Sequence, residues 1–227
     1  MNKKLLAACL VIAAFAVVPS LASANPILTE PTGTTLGTGV GIVGTNVGNT
    51  TLVTSTGTLT CTTAILTGTL TSNTTATGAK GNITSAKFGG TGATQSGADE
   101  PECTGSNFFT PNTTITPGQS LPWCLETPAA TDTFTVKGGA CGGAQTAIKF
   151  KLDVTGIGTC EYTRAATVNG TLVTDGGGAN ENTAAITSVP WTLASGPGLC
   201  PSEGSLTMRF ALETDNPPTN SPIFISS

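Results

Sequence analysis

The sequence predicts an all-β chain: an Ig-like or Greek-key β-sandwich of two pseudo-repeats, stapled by disulfides. Three observations carry this reading. Ile148-Lys149-Phe150-Lys151-Leu152-Asp153-Val154 alternates apolar and charged residues without a break, the two-residue period of a half-buried strand. Only 10% of residues are charged, against ~25% in an ordinary domain. Polarity comes instead from Thr, Ser, Asn and Gly, a β-branched and turn-forming composition unlike that of a disordered chain. The third observation is cysteine usage. Seven cysteines are present, and six remain once the first segment is set aside.

That segment, residues 1–24, reads as a signal peptide. Lys3 and Lys4 form a basic start, Leu5 to Val18 an apolar core, and Pro19-Ser20 a break. Ala22-Ser23-Ala24 places small residues before a cleavage point after Ala24. The apolar core is 14 residues long, short of the ~20 needed to span a bilayer. Leu6-Ala7-Ala8-Cys9 resembles a lipoprotein box, but it comes too early, because most of the apolar core follows Cys9 instead of preceding it. The mature chain is therefore expected outside the cell, with no transmembrane segment. Removing Lys3 and Lys4 leaves 7 basic residues against 13 acidic ones, a net charge of −6. Such a chain has no basic stripe to neutralise phosphates, which argues against nucleic acid as a partner.

Strands are expected over Thr58–Thr62, Ala64–Thr71, Asn82–Phe88, Thr131–Lys137, 148–154, Ala166–Thr174, Ala184–Leu193, Leu206–Glu213 and Pro222–Ser226. Gly and Pro clusters punctuate them, and residues 89–120 read as a long Gly-, Pro- and Asn-rich loop. Thr56-Gly57-Thr58-Leu59-Thr60-Cys61 and Thr155-Gly156-Ile157-Gly158-Thr159-Cys160 share the pattern T-G-x-x-T-C. Ile83-Thr84-Ser85-Ala86-Lys87-Phe88 and Ile186-Thr187-Ser188-Val189-Pro190-Trp191 share I-T-S-x-x-aromatic. Gly68-Thr69-Leu70 and Gly170-Thr171-Leu172 fall between them, and Cys103 and Cys200 follow. The same four elements in the same order, twice, describe a duplication. The domain reading is a first β-sandwich repeat over 25–118 and a second over 119–227, with one continuous domain as the alternative.

An even set of cysteines in an exported chain argues for disulfides rather than a metal site. Six cysteines allow 15 pairings. The repeat suggests Cys61–Cys103 and Cys160–Cys200 as equivalent bridges, leaving Cys124–Cys141 as a local one. With no His, no C-x-x-C and no D-x-D-x-D-G spacing, no metal or cofactor site is read.

No catalytic residue is assigned either. The absence of His removes a Ser-His-Asp arrangement. Lys80, Lys87, Lys137, Lys149 and Lys151 are candidate bases for a Ser-Lys pair, but Lys149 and Lys151 alternate with core positions and read as a solvated face. Asp99, Glu100 and Glu102, considered as a glycosidase pair or a calcium loop, read as an acidic loop beside Cys103. The glycine runs at 138–143 and 176–178 precede no helix and read as turns. Trp123 and Trp191 are candidate ligand-binding residues, as platforms for sugar rings; the competing reading packs each on a neighbouring disulfide. The threonines of TSTGTLTCTTAILTGTLTSNT (54–74) read as β-branched filler on solvent-facing positions, because the second copy replaces most of them.

Cys61, Leu66-Thr67-Gly68-Thr69, Ile83-Thr84-Ser85-Ala86-Lys87-Phe88, Cys103 and Leu121-Pro122-Trp123 resemble small secreted bacterial β proteins of the PraA/PraB group, labelled protein activator of alkane oxidation. That similarity covers about residues 50–125, and its motifs are short. The block from Cys124 to Cys160 is similar to secreted actinobacterial proteins. The first resemblance implies an extracellular, matrix-associated or surface-active role and supplies no catalytic residues. The expectation is a secreted, non-enzymatic protein. Its partners would be extracellular matrix or cell-surface components, a polysaccharide or a hydrophobic interface. A carbohydrate-binding module using Trp123 or Trp191 is the alternative.

Overall fold

A computed structural model describes residues 27–90, 103–109, 112–117, 120–128, 132–174, 182–216 and 220–226. The expected signal peptide and the acidic residues 99, 100 and 102 lie outside them, as does the expected repeat boundary between 118 and 119. Among the described residues no helix is long and apolar enough to cross a membrane.

The chain is all-β and its sheets are antiparallel. Two long hairpins organise it. The first joins β5 (Thr63–Thr74) to β6 (Gly78–Gly89), and the second joins β14 (Asn182–Ser195) to β15 (Glu203–Thr214). Each carries a bulge at an I-T-S motif. Thr67 and Gly68 of β5 face Ser85 and Ile83 of β6, which leaves Thr84 as the extra residue. On β14, Thr187 and Ser188 bulge between the Ile186–Met208 and Val189–Leu206 pairs. A bulge bends its strand and sharpens the local twist, so each half of a long strand meets different neighbours. The duplicated I-T-S is thus a bend signal. The shared glycines also have a structural reason: a Cβ on Gly68 would lie 2.4 Å from the Asn82 carbonyl oxygen, and one on Gly170 would lie 2.2 Å from the Phe134 ring.

Because β14 and β15 bend, they belong to two closed hydrogen-bonded circuits. The first adds β2 (Gly41–Asn46), β9 (Trp123–Glu126), β10 (Thr133–Gly138) and β13 (Val168–Thr174). Its order is β9-β10-β13-β14-β15-β2-β5-β6 and back to β9. The second adds β3 (Thr50–Thr54), β4 (Gly57–Cys61), β7 (Cys103–Gly105), β8 (Asn112–Pro117), β11 (Ile148–Val154) and β12 (Gly158–Arg164). It runs β12-β14-β15-β3-β4-β7-β8-β11 and back to β12. Closure removes the free edges that open sheets must protect. Residues 89–120, expected to be a loop, therefore supply β7 and β8, two short strands without which the second circuit would not close. Their weak local pattern is offset by Cys103, which ties the segment covalently to β4.

One hydrophobic cluster draws on both sides of the expected repeat boundary, from Leu52 and Phe88 to Phe150, Trp191 and Phe210. Each circuit joins a block of strands from one repeat to a block from the other, and β15 of the second repeat pairs with both β2 and β3 of the first. A smaller cluster of Leu28, Leu36, Leu70, Ala79 and Ile223 lies under a terminal strap. There β1 (Ile27–Thr29) pairs with β16 (Phe224–Ser226), bringing the two ends of the described chain together. The six cysteines form Cys61–Cys103, Cys124–Cys141 and Cys160–Cys200, the pairs that the repeat suggests.

Candidate functional site

Alternation fixes which side chains of a strand face outward. Leu206, Leu52 and Leu59 are in register across β15, β3 and β4, and all three are buried. The residues between them consequently point out. Thr207 faces Thr51, Thr51 faces Thr60, and Thr60 faces Thr104. Ser188, whose φ of 50° puts it in the left-handed region at the β14 bulge, donates its N–H to Thr207 Oγ1 at 3.0 Å. A second row lies one pleat away: Ser205, Val53 and Thr58, with the Thr58 N–H donating to Ser106 Oγ at 3.1 Å. Neighbouring strands lie ~4.8 Å apart, so the four threonines extend over about 14 Å. Glu203 and Arg209 flank the two rows along β15. The face between them is uncharged and carries hydroxyls and methyls.

The corresponding hairpin of the second repeat, β11–β12, has the same alternation and a different surface. Phe150 and Leu152 point in opposite Tyr162 and Cys160. Lys149, Lys151 and Asp153 point out opposite Thr163, Glu161 and Thr159. Lys149 Nζ is 3.0 Å and Lys151 Nζ 4.0 Å from the Glu161 carboxylate, and Asp153 accepts a hydrogen bond from Thr159 Oγ1. A like arrangement spans β6, β9 and β10, where Glu126 lies 3.2 Å from Lys80 and 3.0 Å from Lys137. Burial raises the Glu126 pKa, but hydrogen bonds and charge from Lys137 and Lys80 outweigh it, so the carboxyl is held below its usual range. Four of the lysines weighed as bases thus sit in cross-strand ion pairs.

Trp123 and Trp191 are in the core, 8% and 4% exposed, so neither presents a ring face to solvent for a sugar. Trp123 Nε1 donates to Ser120 Oγ at 3.0 Å. Trp191 meets Phe150 edge-on at 4.8 Å, and Phe150 stacks on Tyr162 at 5.4 Å. The aromatic partner of Trp191 is therefore a ring that the sequence placed on a strand without linking it to the tryptophan. Tyr162 donates to the Pro201 carbonyl at 2.9 Å, and burial pushes its phenol up to about 12. The glycine run at 138–143 is a turn that carries Cys141 back to β9, and Asn82 Oδ1 accepts the Cys141 N–H at 2.7 Å. Among the described residues no cluster of three His, Cys, Asp or Glu side chains is placed to hold a metal ion.

Sequence reasoning missed the hydroxyl rows as a unit. Their signal was present in Thr50-Thr51-Leu52-Val53-Thr54 and Gly57-Thr58-Leu59-Thr60-Cys61, two segments in which one leucine is flanked by the β-branched residues Thr or Val. In comparisons with known proteins, the chain matches no family model, no curated protein and no solved structure.

Proposed function

We propose that the protein is an exported, non-enzymatic β protein that acts in the extracellular matrix or at a cell surface, with the hydroxyl rows as its contact face. The observation that carries this is the register of Thr207, Thr51, Thr60 and Thr104 across four strands. Each threonine offers a donor, acceptor lone pairs and a methyl group, a combination suited to the alternating hydroxyl and C–H surface of a glycan. The ~4.8 Å strand spacing is close to the length of one sugar ring, so a polysaccharide chain laid across the strands meets a hydroxyl at each step. β-Branched side chains lose little rotamer freedom on binding, which limits the entropy lost at such a face. Disulfides suit a protein that works in an oxidising exterior, and the resemblance to matrix-associated secreted proteins agrees with the reading.

The test is co-sedimentation of the mature protein with insoluble polysaccharides, alongside Thr51→Lys and Thr60→Lys. Both side chains are half-buried on the outward face of the sheet, away from the core leucines, so the fold is expected to survive. Retention of the wild type and its loss in both variants is the expected result. Equal retention of all three, or retention of none, overturns the reading. A fall in oil–water interfacial tension without polysaccharide binding would favour a hydrophobic interface instead.

A further inference from the structure

The interior is not filled, either within the first circuit or where it meets the second, since Leu52, Ile115, Ile148 and Phe150 of the second circuit line one of the voids. Two adjoining cavities, ≈ 60 Å³ and ≈ 80 Å³, lie inside the fold. Leu66, Ile83, Val136 and Ile186 line both, so the two chambers are neighbours separated by a waist of these four aliphatic side chains. The first chamber is walled by apolar side chains alone, among them Phe88, Trp123, Phe150 and Trp191. The second is bounded by Gly44, Phe134, Phe210 and Leu212, and Leu28 of the terminal strap reaches its end.

Voids of this kind destabilise a core, and this one is not forced by the backbone. A Cβ on Gly44 would sit 3.5 Å from Leu212 Cδ2 and 3.5 Å from Phe210 Cβ, at ordinary van der Waals distance. Gly44 also has no left-handed φ to require glycine. A larger residue there would pair better in the sheet and fill space. A glycine inside a strand often marks close approach of a ligand to the backbone. Access is also provided for, since β1 makes only a three-residue ladder to β16 over the small cluster at this end.

We propose that the paired chambers form a binding site for one compact apolar molecule about the size of benzene. Together they approach the ~150 Å³ of an apolar cavity known to take benzene or xenon, and neither reaches it alone. The ligand spans the waist, with one end among the aromatic rings of the first chamber and the other against the Gly44 backbone. The site is independent of the hydroxyl face on the outside.

The experiment is a benzene titration of the full mature protein, read by tryptophan fluorescence and by the thermal midpoint. Trp123 and Trp191 both line the first chamber, so occupancy changes their emission. Wild type is expected to show saturable fluorescence change and a rising midpoint. Gly44→Val, which fills the second chamber, is expected to melt higher without ligand and to bind benzene at least tenfold more weakly. Ala184→Val, at another wall of the same chamber, serves if the first variant does not fold. A wild type whose fluorescence and midpoint ignore millimolar benzene overturns the proposal, as do filled variants that bind as tightly as wild type.

Discussion

The two circuits close in different ways. Every ladder of the first joins at least four residue pairs: four at β9–β10, β10–β13, β13–β14 and β6–β9, five at β2–β5 and β15–β2. The second has thin seams. β4 meets β7 over two pairs, β7 meets β8 over two, and β12 meets β14 over three with a register shift. Two of the three disulfides lie at these seams. Cys61–Cys103 ties β4 to β7, and Cys160–Cys200 ties β12 to the connection between β14 and β15. Covalent bonds stand where the hydrogen-bond ladder is shortest. The first circuit spends its regularity on enclosing space, and a terminal strap caps its end.

Breaking a seam should have the largest effect. In the chain-entropy model a bridge spanning 42 residues, Cys61–Cys103, contributes about 4 kcal/mol, and the 17-residue Cys124–Cys141 bridge about 3 kcal/mol. The Cys61→Ala/Cys103→Ala double variant should therefore lose more stability in denaturant unfolding than Cys124→Ala/Cys141→Ala. Amide exchange separates the two further. Loss of the seam bridge should release the β7 and β8 amides first, while β9 and β10 keep protection without their own bridge. If both variants expose the same amides, the contrast between thin and thick closure does not hold.

The strap is the corresponding weak point of the first circuit, and one side chain secures it. Asn73 Oδ1 accepts the Leu28 N–H at 2.9 Å, and its Nδ2 donates to the carbonyls of Leu28 and Leu36 at 2.7 Å and 3.0 Å. Asn73→Ala leaves the Leu28 N–H and the Leu36 carbonyl without these partners, while the Leu28 carbonyl keeps the Leu36 N–H at 3.0 Å, with an expected loss of about 2 kcal/mol. The loss should be local. Exchange at Leu28 should accelerate while the β11–β12 amides stay protected, and uniform acceleration would mean that the strap is part of the main cooperative unit.

What the sequence revealed follows the range of the interactions involved. Ile148–Val154 was legible to the residue, because one buried face and one charged face impose a local period. The cysteine pairs were legible through the duplication. Gly41–Asn46 was not, because a strand whose inward position is Gly44 shows no apolar alternation. β8 was hidden in the same way by its Asn and Thr content. Circuit closure and the hydroxyl rows depend on register between residues as distant as Thr51 and Thr207, which no local pattern encodes. The threonines read as filler because the second copy lacks them. The structure shows what stands in their place: β11–β12 keeps Thr159 and Thr163 but carries the Lys149–Glu161–Lys151 ion pairs at outward positions where β3–β4 carries hydroxyls, so the duplicated framework supports two different surfaces.

The smallest expected effect tests whether charge contributes to the thick closure. Glu126 bridges Lys80 on β6 and Lys137 on β10, across three strands of the first circuit. Burial raises its pKa, Lys137 and Lys80 lower it more, and the folded value lies below the ordinary one. A carboxylate depressed on folding contributes stability that is fully present above the unfolded pKa of ~4.3. That stability is lost as pH falls through the folded value, because the unfolded chain takes up the proton first. The pair is partly solvated, so Glu126→Gln should lose under about 1 kcal/mol at neutral pH. The gap to wild type, measured as urea midpoints, should narrow progressively below about pH 4. A gap unchanged at pH 3 would assign the loss to packing of the side chain, and the first circuit would then be held by ladder length and burial without help from charge.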